Sequence, residues 1–308
     1  MNMKTKYTSK AAAKPSWKNA ILLGIAALAL FALPGVALAA DCLPVTNWTG
    51  RIDNNWFTSG NWDNGVPNSG TGAVVNNGGT AQISGSLPLA SACSLALGPT
   101  AGHSGNVSVS TSGSLTVTYG ITVGNQGTGS LSVTSQGSVT TQLGEVDVGG
   151  NTSGVSATGL LTVTDGGTVS APSVVVNDSG TLTGNGTVSA NSGSGTVTVD
   201  GTLAPHPGTL TISGNLSFGQ GANMSCNVSS TSVDKAQVSG SAQLNGKLSV
   251  TVSVTGDFTL LHAGNGRNGT TFSSYSFTYT GCLSASVSYQ DNPATGSSDV
   301  ILHVVSTC

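Results

Sequence analysis

The chain has 308 residues, 12 acidic and 9 basic, with 44 glycines and only 7% charged and 5% aromatic residues. Five of the nine cations, Lys4, Lys6, Lys10, Lys14 and Lys18, lie at the start, so beyond residue 40 four cations face twelve acidic groups, a formal charge of −8. No Lys or Arg occurs from Ile52 to Asp234, which removes the phosphate-neutralising groups that nucleic acid or an anionic membrane would need.

The lysine-rich start leads into an apolar run from Ala20 to Leu33, then the Pro34-Gly35 break and the small residues Ala37-Leu38-Ala39-Ala40. This order predicts a secretory signal peptide over 1–40, with the mature chain beginning at Ala40 or Asp41. The competing reading is an uncleaved anchor, since 20–40 is long enough to span a membrane when tilted. Asp41 precedes Cys42, which disfavours lipid attachment there. No membrane contact is expected after cleavage.

Residues 41–75 form a non-repetitive segment carrying Trp48, Trp56 and Trp62 among Gly50, Asn61, Gly65 and Pro67. Residues 76–220 repeat. Val107-Ser108-Val109, Gly113-Ser114-Leu115-Thr116-Val117 and Ile121-Thr122-Val123-Gly124 make one unit. Leu131-Ser132-Val133, Gly137-Ser138-Val139 and Val146-Asp147-Val148-Gly149 make the second. Leu161-Thr162-Val163, Gly167-Thr168-Val169 and Val174-Val175-Val176 make the third. Strand side chains alternate faces, so each unit puts Val, Leu and Ile on one side and mostly Ser and Thr on the other. One unit has nothing to bury against, and stacking closes an interior. The regular alternation also separates this chain from disordered low-complexity sequence. Residues 221–308 shift to longer strands and more aromatics around Phe272, Tyr275, Phe277 and Tyr279. A solenoid must cover its end coils, and the two aromatic-rich flanks are the expected caps.

Trp48-Thr49-Gly50, Trp56, Asn61-Trp62, Gly65 and Pro67 together resemble the start of passenger-type β-strand-repeat proteins. Gly201-Thr202-Leu203-Ala204-Pro205, the run from Gly208 to Leu216, Asp234-Lys235-Ala236-Gln237-Val238, the run from Leu244 to Val250 and Phe258-Thr259-Leu260-Leu261 resemble the late coils of autotransporter passengers. The resemblance implies a right-handed parallel β-helix, surface-exposed or released by a bacterium with an outer membrane, and commonly adhesive or structural. Such motifs define architecture more than activity. Two departures stand out. Autotransporters continue into an outer-membrane barrel, and no strands of that kind precede Cys308, so final export and attachment are not explained. His206 also stands where glycine is usual.

Chemistry has few candidates. Glu145 and Asp147 lie two apart, hence on one strand face, where paired carboxylates bind cations or divide acid and base roles. The plainer reading is two solvated side chains. Trp48, Trp56 and Trp62 offer either flat surfaces for stacking sugars or a plug for the first coil, and the plug is the favoured reading. Asp165, Asp178 and Asp200 fit turns. His103, His206, His262 and His303 lack metal-ligand spacing, and no metal or other cofactor is expected. Of five cysteines, Cys42 with Cys93 and Cys282 with Cys308 is the simplest pairing, leaving Cys226. The alternative joins Cys42 and Cys308 between molecules into a filament.

The sequence therefore predicts an all-β, right-handed parallel β-helix of roughly ten coils at about 4.8 Å each. The expected role is a non-enzymatic exported adhesin or structural protein contacting surface glycans or copies of itself. The alternatives are a polysaccharide-degrading enzyme using Glu145 and Asp147, and a self-assembling filament subunit.

Overall fold

The computed structural model describes residues 42–150 and 157–308; the signal segment expected over 1–40 lies outside the described residues. Of the described residues 54% are strand and 2% helix, forming a parallel β-solenoid of about nine turns. Each turn visits three sheets in fixed order, termed faces one, two and three. One turn runs Ser104–Ser110, Ser114–Val117, Ile121–Val123. The next runs Thr128–Val133, Ser138–Thr141, Val146–Val148, and the third runs Thr158–Val163, Thr168–Ala171, Val174–Val176. These are the three units legible in the sequence.

Identical register from turn to turn converts the apolar alternation into ladders. Val107, Leu131, Leu161, Leu182 and Leu203 stack inside face one. Leu115, Val139, Val169, Val188 and Ile212 stack inside face two. Ile121, Val146, Val174, Val197 and Leu216 stack inside face three. All fifteen are essentially inaccessible to solvent, each contributing roughly 1.5–3 kcal/mol of burial. A one-residue slip on any strand would turn its apolar set outward, which is why strict alternation fixes the register.

The corners are equally repetitive. Thr111-Ser112, Ser135-Gln136 and Asp165-Gly166 each place two successive residues at positive φ between faces one and two. Five of these six residues carry a Cβ, so each such position costs on the order of 1 kcal/mol. Bonds between successive turns hold the corners in place, with Ser112 N–H donating to the Ser135 carbonyl at 3.0 Å and Gln136 N–H to Asp165 at 3.1 Å. Where face three turns into face one, Gly124 has φ +73°, and a Cβ at Gly129 would lie 2.2 Å from the Gly124 nitrogen.

The stacking also reaches beyond the repetitive body. Val45–Asn47 and Gly72–Val75 already pair in parallel on face three, so the segment 41–75 contains the start of the solenoid as well as its cap. At the other end face two stops being parallel. Gly256–Ala263 pairs antiparallel with Ser297–Ser306, which pairs antiparallel with the outermost strand Leu283–Asn292.

Candidate functional site

Val146 and Val148 point into the core, placing Glu145 and Asp147 outward together. Burial pushes the Asp147 carboxyl above the usual range, opposed by a hydrogen bond from Asn177 and reinforced by the charge of Glu145. The Asn177 amide donates both to Asp147 and, at 2.9 Å, to the Gly149 carbonyl. Ser173 donates to Glu145 at 3.3 Å. A carboxyl with a raised pKa two residues from an exposed one is the kind of pair on which acid and base roles can be built. The neighbours of Asp147 along the outer row are Thr122 and Val175, neither of which supplies a cation or a third carboxylate. Among the described residues no group of three or more His, Cys, Asp or Glu is placed to hold a metal ion.

The tryptophans do not form a sugar platform. Trp48, Trp56 and Trp62 are 3%, 0% and 4% exposed, so their faces meet each other rather than a ligand. Trp62 packs edge-on against both of the others, with ring centroids 5.0 and 4.8 Å apart. The reason is positional: Trp56 N–H donates to the Gln82 carbonyl and Gln82 N–H to Asn54, which lays the segment across the first strand of face one, Thr80–Ser84. Asn61 holds the turn beneath, accepting from Ile52 and Asp53 amides and donating to Asp53 at 2.6 Å.

Cys42 bonds Cys93 and Cys282 bonds Cys308, with Cα atoms 5.4 and 5.6 Å apart. Each bridge ties a terminal segment, and a native disulfide of this kind contributes roughly 2–4 kcal/mol. With both partners taken up inside the chain, Cys42 and Cys308 leave no thiols for the end-to-end filament. Cys226 is free and buried, and burial, then the nearby charge of Asp234, pushes its thiol far up, making it unreactive. The two bridges point to an oxidising environment, and no helix among the described residues is long and apolar enough to cross a membrane.

Three histidines pair with aspartates, a relation invisible in the sequence because the partners lie 28 to 46 residues apart. His206 occupies the corner expected to suit glycine, and its Nδ1 lies 3.1 Å from the fully buried Asp234. That carboxylate also accepts from the Gly208 and Asn227 amides at 3.0 and 2.7 Å, so the corner is built around it. His262 pairs with Asp299 at 2.7 Å. His303 Nδ1 lies 2.7 Å from Asp257 and its Nε2 lies 2.6 Å from the Ser288 hydroxyl, the bond order of a Ser-His-Asp triad. The setting differs from that of a hydrolase. The group sits on the outer side of face two, the Asp257 side chain is 73% exposed, and water weakens its hold on the imidazole. These bonds tie three adjacent strands.

The outer side of face one is the most uniform surface. Seven successive strands, from Thr80–Ser84 to Asn223–Val228, contain no charged residue. Gln82, Ser108, Ser132, Thr162 and Thr183 align in one outward row. Asn106, Ser130, Leu160, Thr181 and Thr202 align in the next. Fold and surface together define a β-solenoid repeat protein. No protein-family model matches the chain, and no curated protein matches it.

Proposed function

We propose that this is an exported, non-enzymatic β-solenoid of the cell surface or extracellular matrix, adhesive or structural, that contacts neutral glycans through the outer side of face one. The observation carrying this reading is the pair of uncharged rows: the first repeats a hydroxyl or amide group at every step of about 4.8 Å, and the second does so except at Leu160. Single hydroxyl contacts are weak in water, and a repeated array adds them along one extended ligand. Uncharged polymers suit such rows, because a charged one would have no counter-charge on this face. The lysine-rich apolar start, the oxidised cysteines and the resemblance to autotransporter passengers support export.

The second reading, glycan cleavage, rests on Asp147, whose carboxyl pKa burial raises, lying beside Glu145. One experiment separates the two. The protein is incubated with a panel of neutral and acidic polysaccharides, and retention and release of new chain ends are both measured. Retention without cleavage is the expected result. New chain ends that vanish in the Glu145→Ala, Asp147→Ala variant would replace the first reading with the second.

A further inference from the structure

We infer that the C-terminal end of the solenoid binds a second copy of this chain, through antiparallel pairing of Leu283–Asn292 with its own twofold mate. The two ends of the solenoid differ. At the N-terminal end the first strand of face one is covered by residues 54–56, which bond directly to Gln82. At the C-terminal end Leu283–Asn292 is the outermost strand of face two and Ser274–Tyr279 that of face one.

Among the described residues no strand pairs with the outer edge of Leu283–Asn292, where one amide, that of Ala285, is held by a side chain of the same chain and would be released on pairing. The strand's register against Ser297–Ser306 runs without a shift. The Ala285 amide donates sideways to the Tyr279 hydroxyl at 3.1 Å, away from that partner. Amides alternate direction along an antiparallel strand, so Val287 and Tyr289 also turn their N–H and C=O groups to the open edge. Proteins guard such edges with charges, prolines or bulges. The stretch Leu283-Ser284-Ala285-Ser286-Val287-Ser288-Tyr289-Gln290 has no charge and no proline.

The strand also fits itself. A twofold axis through Val287 sets Ala285 opposite Tyr289, Ser286 opposite Ser288 and Ser284 opposite Gln290. Small residues then face large ones on the inner row. Asp291 meets Leu283 and is neutralised by Arg267 of its own chain at 2.7 Å, so an acidic chain pairs without opposing like charges. The half-buried Leu283, Ala285 and Val287 and the exposed Tyr275 and Tyr279 give the apolar area that a second copy covers. This symmetric contact closes as a dimer and does not propagate. It is independent of glycan binding.

Light scattering on the disulfide-intact mature chain, residues 41–308, tests it. The expected mass is twice that of the chain. Val287→Pro removes one edge N–H and no bond to Ser297–Ser306, and proline is tolerated on edge strands. Ser286→Lys places a charge on the same edge with its side chain in solvent. Both are expected to halve the mass with unchanged circular dichroism, and Ser286→Lys decides if the proline variant does not fold. Val287→Cys is expected to give a covalent dimer on a non-reducing gel, since opposed residues in a hydrogen-bonded pair lie about 5.5 Å apart, within disulfide range. A monomer at every concentration, or a dimer that survives both variants, overturns the inference.

Discussion

The indole N–H of Trp62 donates to the Trp56 carbonyl at 2.8 Å, whereas the indole N–H of Trp56, in the same buried cluster, meets no acceptor. Replacing either ring by phenylalanine removes similar volume, so the two variants differ mainly in that bond. Trp62→Phe is expected to lose about 1 kcal/mol more stability than Trp56→Phe. Urea unfolding of both variants measures the difference, and equal losses or the reverse order would contradict the assigned cap.

Gly129 and Gly102 separate two reasons for glycine. At Gly129 a Cβ would lie 2.2 Å from the Gly124 nitrogen and 2.6 Å from the Leu97 carbonyl, both parts of the stack, while at Gly102 it would meet nothing and only the φ of +76° opposes it. Gly102→Ala is expected to cost about 1 kcal/mol, and Gly129→Ala more than ~2 kcal/mol. Thermal unfolding of the pair measures this. Comparable melting temperatures would mean that the corner is looser than described.

Asp147 binds its proton more tightly in the folded chain than its ordinary value of 3.8, first through burial and then through Glu145. The folded state therefore carries more protons in the interval above 3.8, and stability falls as pH rises through it. Asp147→Asn keeps an acceptor for Asn177 and removes the titration. Relative to the native chain, the variant should gain stability between acid and neutral pH and show no such gain below pH about 3. A gain confined to acid would reverse the assignment.

Asp63 behaves oppositely. Burial raises its carboxyl pKa, yet the Asn47 amide N–H, the Asn47 side chain and the Thr46 hydroxyl together hold it below 3.8. Its contribution is present above 3.8 and is lost as pH falls through the lowered value. Asp63→Asn should destabilise the N-terminal cap at neutral pH and make little difference in strong acid, readable from tryptophan fluorescence during unfolding. A loss that is the same at both pH values would assign Asp63 a purely steric role.

Strands with one side buried were legible because their apolar alternation is local: Val107, Leu131 and Leu161 announce their direction from two neighbours each. The corner residues Asp165 and Gly166 were legible for the same reason. What the sequence left open depends on register across whole turns. Nothing near His206 signals Asp234, which stacking brings beside it, and nothing near Ser288 signals His303, which the closing antiparallel hairpin brings beside it. The tryptophans were ambiguous in sequence since plug and platform use the same residues, and burial decides between them. The closing hairpin was also hidden: the alternation in Leu283–Asn292 reads equally well as parallel or antiparallel.

The central claim is that the uncharged outer rows of face one hold neutral glycans. Affinity electrophoresis of residues 41–308 through gels containing neutral polysaccharide, at low and high salt, tests it most directly, with Ser132→Lys, Thr162→Lys alongside. The account expects retardation that salt does not weaken and that the two lysines abolish while the fold persists. Free migration through every neutral polysaccharide, or retardation only by acidic ones, would contradict it.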